Sequence, residues 1–191
     1  LEISFYNNRS RYLDPVRGSF TQEDPLGFSG GGSNVYIYAK NDPNNKTDPL
    51  GLFVYAVYDK TTGELIVKDI DTGVEKKMSA ESGGKPWGDS IPSGTFEILG
   101  HRNPDFFRLD ALDSMPRNDV HDTTGRTHFR LHKPGRTTGC IAAKDEEEWE
   151  GVRDLIHNTK TTTVIDNASQ PLWRLFAGKD AITYYGTLVV K

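Results

Sequence analysis

The 191-residue sequence predicts a mainly β protein of the α+β class, with one packed helix and a short, turn-rich N-terminal meander. Three observations predict this fold. Short stretches rich in aromatic and β-branched residues alternate with turns that contain Gly, Asn or Asp, as they do in hairpins. One segment carries apolar residues at helical spacing. Asp-Pro pairs, which mark turns, are confined to the first 52 residues.

Residues 1–52 are predicted to form a β-meander of short strands and tight turns. The residue before a proline is biased towards extended backbone, and an aspartate side chain at that position can close a turn. This segment contains too little apolar material to fold alone. The sequence therefore predicts two parts, residues 1–52 and residues 53–191.

Residues 53–191 are predicted to form a β-sandwich or barrel with a helix packed against it. Two hairpins come first, around turns at 61–63 and 71–73. Further strands are predicted at 95–99, 106–109, 127–132, 161–165 and 181–190. In the strand at 127–132, alternation places Phe129 and Leu131 on one face and His128, Arg130 and His132 on the other.

One helix is predicted at 146–157. Asp145 occupies the N-cap position, and Glu148 follows three residues later as its capping-box partner. The apolar stripe of this helix consists of Trp149, Val152, Leu155 and Ile156.

Composition argues against several classes of function. The sequence has 23 Lys and Arg against 27 Asp and Glu, a formal net charge of −4, and this balance is unsuited to binding nucleic-acid phosphates. No apolar run approaches the length of a membrane-spanning helix. We therefore expect neither a nucleic-acid partner nor membrane insertion. The sequence starts with Leu and shows no leader pattern, so we expect it to be a piece of a longer protein.

The single cysteine, Cys140, is a candidate nucleophile because histidines precede it closely. His132 lies eight residues upstream, and the adjacent Gly139 leaves room for a substrate carbonyl. Lys133 and Arg136 would favour the thiolate, and backbone N–H groups around Gly139 and Cys140 are candidates for an oxyanion hole. The alternative is that Cys140 is a buried small hydrophobe.

The turn sequence Asp-Pro-Leu-Gly occurs twice, at 24–27 and at 48–51, and the second copy is followed by Leu52. The matching stretches are 12–15, 18–20, 23–27, 34–38, 41–43 and 48–52. In content and order they resemble the end of the Rhs repeat-associated core. This resemblance implies a toxin exported with an Rhs shell, commonly by type VI secretion, with the variable toxin domain beginning after Leu52.

The same resemblance implies aspartyl autoproteolysis, with Asp24 and Asp48 as the catalytic pair and the bond between Leu52 and Phe53 as the one cut. Two carboxylates held together do not both ionise readily, so one can act as an acid while the other activates water. The alternative is that both aspartates only close turns.

The segment 129–141 begins Phe-Arg-Leu-His and ends Thr137-Thr138-Gly139-Cys140-Ile141. Together with the strand Ile-Pro-Ser-Gly-Thr-Phe-Glu-Ile at 91–98, it resembles the L,D-transpeptidase (YkuD-like) superfamily, which has a His followed by [Ser/Thr]-x-Gly-Cys. The resemblance implies a YkuD-like fold and a peptidoglycan stem peptide as substrate, with Cys140 as nucleophile and His132 as base. Transfer of the acyl group to an amine and to water both remain open.

Two features depart from the superfamily pattern. Thr138 stands where many members have His, and the usual base lies further upstream than His132 does. His121, nineteen residues before the cysteine, is therefore a rival base.

Residues around the nucleophile are predicted to bind substrate: His128, Arg126, Arg130, Thr137 and Thr138. Each arginine can bind a carboxylate through two parallel hydrogen bonds, although both could also be solvated surface charges. His128 could equally be a surface histidine on a strand.

Other interpretations remain open. A zinc site built from His121, His128, His132 and Cys140 is disfavoured, since the spacing of His128 and His132 suits a helix rather than a strand. We therefore expect no metal and no cofactor.

A papain-like amidase would have its histidine well after the cysteine, where only His157 follows. A nuclease toxin and a non-enzymatic shell fragment with a structural Cys140 are the alternatives. The resemblances also imply a cognate immunity protein and action in the periplasm of a target bacterium.

Overall fold

The structure is a computed structural model that describes residues 6–8, 11–23, 34, 36, 54–83, 88–168 and 180–191. Contacts divide the chain into two compact units, Leu1–Leu52 and Phe53–Lys191. Each unit has a sheet of its own. The predicted mainly β fold with one packed helix is confirmed.

The first unit contains a three-stranded antiparallel sheet. Its strands are β1 (Tyr6–Asn8), β2 (Arg11–Asp14) and β3 (Ser19–Phe20), in that order. Asp14 closes the turn between β2 and β3, because its Oδ1 accepts the N–H groups of Val16 at 2.9 Å and Arg17 at 3.1 Å. The turn ends at Gly18, which has a φ of 64° and donates its N–H to the Asp14 carbonyl. This is the structure that the Asp-Pro pair predicts.

In the part of the second unit that the structure describes, the strands form a closed barrel with one helix. Its elements are β4 (Val54–Asp59), β5 (Glu64–Asp69), β6 (Glu75–Ser82), β7 (Gly94–Leu99), β8 (Phe106–Ala111), β9 (Arg130–His132), β10 (Ile141–Ala143), α1 (Glu146–Asn158), β11 (Thr162–Ile165) and β12 (Ala181–Val190). The strand order is β11-β12-β4-β5-β6-β10-β9-β8-β7, and β7 also pairs with β12, which closes the sheet. Neighbouring strands are antiparallel except for β12 with β4 and β9 with β10.

The barrel closes at a glycine in β12. Gly186 pairs with Val54 of β4, and the pairing of β12 with β7 shifts register next to it. A Cβ at this position, where φ is 151°, would overlap the Val54 carbonyl. The close approach of β4 and β12 therefore requires glycine there.

The core lies inside the barrel and beneath α1. The predicted hairpin strands β4 and β5 alternate as expected, with Val54, Ala56 and Tyr58 buried on β4. On α1, Trp149, Val152 and Ile156 are buried.

The N-cap of α1 is the one predicted. Asp145 Oδ1 accepts the N–H of Glu148 at 2.9 Å. The Glu148 carboxylate itself accepts the N–H of Ser79 at 2.7 Å and so ties the helix to β6.

The strand predicted at 127–132 is shorter in the structure, where only Arg130–His132 form β9. His128 has a φ of 63°. Because residues in a strand have a negative φ, the strand cannot include His128 and starts after it. The expectation that His128 shares a strand face with His132 is therefore wrong. Phe129 and Leu131 are both buried in the core, as the alternation predicts.

Candidate active site

Cys140 lines a pocket of about 190 Å³ in the second unit. The pocket is formed by two segments, 125–129 and 138–140. Among the predicted site residues, the structure brings together here Cys140, Gly139, Thr138, His128 and Arg126.

The neighbouring strands β9 and β10 place Cys140 close to His132. They run parallel, with Ile141 opposite Leu131 and Ala142 opposite His132. One residue earlier in this register, Cys140 is level with Arg130. With about 4.8 Å between strands and about 3.3 Å per residue, the Cα atoms of Cys140 and His132 are roughly 8 Å apart.

The Cys140 thiol is partly buried and held by backbone groups. Its Sγ donates to the His128 carbonyl at 3.5 Å. Burial raises the pKa of Cys140, and the backbone N–H of Arg130 and the charges of Arg130 and Arg126 oppose this shift only in part. The resting thiol is therefore protonated at neutral pH, and its attack on a carbonyl requires a base.

His132 has the tautomer and the charge state of a general base. Its Nδ1 lies 2.8 Å from the Lys133 carbonyl, which can only accept, so Nδ1 carries the proton and Nε2 keeps its lone pair. Burial lowers the pKa of His132, which keeps the ring neutral. The ring stacks on Phe106, with centroids 5.0 Å apart. His132 is on the strand beside Cys140 but is not among the residues that line the pocket.

The rival base, His121, is not itself in the pocket lining but adjoins it, because its N–H donates to the carbonyl of Arg126, which lines the pocket. Its Nδ1 is 3.0 Å from the Thr124 hydroxyl, and its carbonyl accepts the N–H groups of Thr124 and Gly125. Its ring stacks on Phe96, with centroids 6.3 Å apart.

His128 presents its ring to the pocket from a strained backbone. Its side chain is 74% exposed, with Nε2 3.7 Å from the Asp119 carboxylate and Nδ1 2.7 Å from the Thr127 hydroxyl. A left-handed conformation at a residue other than glycine is costly and is found preferentially at functional sites.

The two predicted carboxylate-binding arginines both have partners within the protein. Arg130 binds Asp119 through two hydrogen bonds of 2.8 Å. Arg126 donates to the carbonyls of Ser90 and Asp89, each at 2.8 Å. The carboxylate bound to Arg130 in this structure therefore belongs to the protein.

Thr137 is buried and closes the turn that carries the nucleophile. Its hydroxyl donates to the Cys140 carbonyl at 2.7 Å and accepts the N–H of Gly139 at 3.3 Å. Thr137 therefore shapes the loop from inside, whereas Thr138 lines the pocket.

A buried ionic network lies beside the site and was not predicted. Arg108 Nε donates to Asp110 at 3.0 Å, and Arg108 Nη1 donates to Asp166 at 2.9 Å. Asp110 also accepts the N–H groups of Arg117 and Asp119, two residues with left-handed backbone. The network thereby fixes Asp119, the partner of Arg130. The sequence signal was the Arg-x-Asp alternation in β8, where polar residues occupy one face of a strand that is buried on both.

The residues predicted for autoproteolysis, Asp24, Asp48, Leu52 and Phe53, lie outside the described residues. Within the described ranges, no group of three His, Cys, Asp or Glu side chains is placed to hold a metal ion. In the same ranges, no helix combines the length and the hydropathy needed to cross a bilayer.

Sequence comparisons find relatives over part of the chain. The toxin protein Tse5 of Pseudomonas aeruginosa is 47% identical over 53 residues, which are 28% of this chain and 4% of that protein. A Dickeya dadantii protein named "Probable deoxyribonuclease RhsB" is 53% identical over 45 residues, or 24% and 3% of the two chains. These matches confirm the resemblance to Rhs proteins.

A longer match includes part of the second unit. The Escherichia coli protein YibJ is 40% identical over 119 residues, which are 62% of this chain and 42% of that protein. The first unit has 52 residues, so a match of this length must extend beyond it. The chain spans less than half the length of each of these relatives. No family model matches the sequence.

Among solved structures, an L,D-transpeptidase from Mycobacterium tuberculosis superposes with a TM-score of 0.39 and 13% identity, covering 74% of this chain and 58% of that one. An L,D-transpeptidase from Mycobacterium smegmatis superposes with a TM-score of 0.39 and 17% identity, covering 84% and 64%.

Proposed function

We propose that this chain is the end of an Rhs-type toxin whose residues 53–191 perform cysteine-dependent acyl transfer on peptidoglycan stem peptides. The observation that carries the proposal is the position of Cys140 directly before β10, whose parallel partner β9 ends at His132, a neutral histidine that keeps Nε2 free. The similarity to the toxin protein Tse5 supports the delivery of a toxin.

The chemistry begins with transfer of the thiol proton to His132 Nε2. The Cys140 thiolate then attacks the carbonyl of the L-centred residue in the stem peptide, and a tetrahedral oxyanion forms. When this intermediate collapses, the bond to the terminal D-amino acid breaks and His132 returns the proton to the departing amine. The thioester is then resolved by an amine, which gives a crosslink or an exchanged D-amino acid, or by water, which gives a shortened peptide.

His128 and Thr138 are the side chains that would meet the substrate, because both line the pocket beside the thiol. Shortening the tetrapeptides and exchanging their terminal D-amino acid would each deprive normal crosslinking of its donor peptides. This makes the reaction suitable for a toxin that acts in the periplasm of a target bacterium.

The remaining parts of the proposal concern the longer protein. We propose that an Rhs shell carries the toxin, that secretion exports it, and that Asp24 and Asp48 cut the chain between Leu52 and Phe53. A cognate immunity protein would protect the producing cell by covering the pocket at Cys140.

The test is mass spectrometry of disaccharide tetrapeptides incubated with the chain, with and without free D-methionine. We expect loss of the terminal D-alanine, or its replacement by D-methionine, with the unaltered chain and neither with Cys140→Ala. His132→Gln should abolish the reaction, whereas His121→Gln should retain it.

Unchanged muropeptides in the presence of a folded, unaltered chain would refute the proposal. Cleavage of double-stranded DNA by the same preparation would then favour the nuclease alternative, because the relative RhsB carries the name of a deoxyribonuclease.

A further inference from the structure

Three consecutive carbonyl groups in the loop that carries the nucleophile are each held by a side chain. The Thr138 carbonyl accepts from Arg126 Nη2 at 3.4 Å, and the Gly139 carbonyl accepts from Ser82 Oγ at 3.2 Å. The Cys140 carbonyl accepts from Thr137 Oγ1 at 2.7 Å. These three peptide planes are thereby oriented by side chains, of which Ser82 and Arg126 lie outside the loop and Thr137 lies within it.

Fixing the Gly139 carbonyl also fixes the N–H of Cys140, since the two groups of a trans peptide point in opposite directions. Ser82 is on β6, and β10 lies between β6 and β9. The Gly139 carbonyl therefore points towards β6, and the Cys140 N–H points to the opposite side. That side holds segment 125–129 and the pocket.

Ser82 and Arg126 anchor the loop to the same neighbouring segment, 89–91. Ser82 Oγ accepts the N–H of Ile91 at 2.9 Å while its hydroxyl donates to Gly139. Arg126 spans from the Thr138 carbonyl to the carbonyls of Asp89 and Ser90.

The Arg126 guanidinium also lies over the Phe129 ring, 4.9 Å from its centroid, and fills the space beside Gly139. A Cβ on Gly139 would overlap Arg126 Nη2, and its φ of 135° is one that side chains disfavour. Glycine at position 139 therefore admits the arginine, which takes the space where the sequence predicts room for a substrate carbonyl.

We propose that Ser82 and Arg126 are positioning residues which aim the N–H of Cys140 into the pocket as the donor of an oxyanion hole. This inference rests on the acyl transfer proposed above and assigns Arg126 a role other than binding a substrate carboxylate. A donor aimed at a developing oxyanion accelerates acyl transfer by about 10²–10³-fold, so its misorientation has a measurable effect on rate.

The test compares two reagents that attack the same thiol in the full chain. Iodoacetamide alkylates Cys140 by displacement at a saturated carbon and forms no oxyanion. p-Nitrophenyl acetate acylates Cys140 through a tetrahedral oxyanion and releases nitrophenolate. The ratio of the acylation rate to the alkylation rate therefore reports the oxyanion hole separately from the reactivity of the thiol.

We expect Ser82→Ala and Arg126→Met to lower this ratio at least about tenfold. Arg126→Lys restores the positive charge but not the planar fork that reaches three carbonyls, so the ratio should stay low. The matched controls are Ser79→Ala, on the same strand, and Arg153→Met, on α1, and both should leave the ratio unchanged.

An unchanged ratio in Ser82→Ala and Arg126→Met would overturn the inference, and so would an equal fall in both rates, which indicates general disorder of the loop. Full rescue by Arg126→Lys would overturn the role proposed for Arg126, because charge alone would then be responsible. Failure of the unaltered chain to react with the ester would also overturn it. If the ester reacts as expected but muropeptides do not, the proposed substrate fails while the oxyanion hole stands.

Discussion

Replacing Asp110 by asparagine tests how far the buried ionic network stabilises the barrel. Asp110 is 1% exposed. Its Oδ2 accepts Arg108 Nε, Arg108 Nη2 and the N–H of Asp119, and its Oδ1 accepts the N–H of Arg117 at 2.7 Å. Asparagine has nearly the same shape but one acceptor oxygen. If the asparagine keeps its oxygen towards Arg108, its NH2 group faces the N–H of Arg117, so two hydrogen-bond donors oppose each other.

The expected loss in free energy of unfolding depends on the carboxylates that remain around Arg108. Removing one partner of a buried ion pair costs about 3–5 kcal/mol because the other charge is left uncompensated. Here Arg108 keeps Asp166 at 2.9 Å and has Asp119 at 3.5 Å. These carboxylates reduce the cost to the lower end of that range. We therefore expect Asp110→Asn to lower the free energy of unfolding by about 3 kcal/mol.

The assay is urea unfolding of the full chain followed by tryptophan fluorescence, to which the fully buried Trp149 contributes. The control is Asp154→Asn, a helix-surface aspartate that is 60% exposed and pairs with Arg153, where we expect a change within about 0.5 kcal/mol. A cost for Asp110→Asn below about 1 kcal/mol would show that the network contributes little and would refute this reasoning.

Four further predictions each concern a single residue. The pH profile of iodoacetamide alkylation should have its midpoint above 9.0, the ordinary pKa of a thiol, because burial raises the pKa of Cys140; a midpoint below 9.0 would contradict this. Burial lowers the pKa of His132 from 6.5, so ester acylation should persist at pH 6.5 and fall only in more acidic buffer. Asp145→Ala removes the N-cap of α1 and should lower the free energy of unfolding by about 1 kcal/mol in urea. Gly186→Ala should open the β12–β4 pairing, seen as faster amide exchange in β12, because its Cβ overlaps the Val54 carbonyl.

Much of the fold could be predicted because the relevant signals are local. Strands β4 and β5 each have six residues of alternating burial, and Asp145 begins α1 where the apolar stripe starts. Strands β9 and β10 have three residues each, which is too few for periodicity to show. The closure of the barrel joins β7 to β12, and no local pattern encodes a pairing between strands so far apart in sequence.

The candidate site was predictable to the extent that side-chain types reveal chemistry. Cys140, His132 and Gly139 could be named from the sequence as candidates, and in the structure Cys140 directly precedes β10, the strand beside β9, which ends at His132. The contacts of Arg126 could not be predicted, because its partners are three backbone carbonyls, and backbone groups leave no signature in the sequence. The position of His128 was mispredicted because alternation continues through a residue whose backbone is left-handed.

The pKa shifts of Cys140 and His132 together have one consequence for the proposed enzyme. Burial disfavours the charged form of both groups, since it raises the pKa of Cys140 and lowers that of His132. A resting thiolate–imidazolium pair is therefore unfavourable, and the proton moves when substrate and oxyanion donor are in place. Thiolates are oxidised far more readily than thiols. A cysteine that stays protonated until its substrate arrives would survive in an oxidising compartment such as the periplasm, where we propose that this toxin acts.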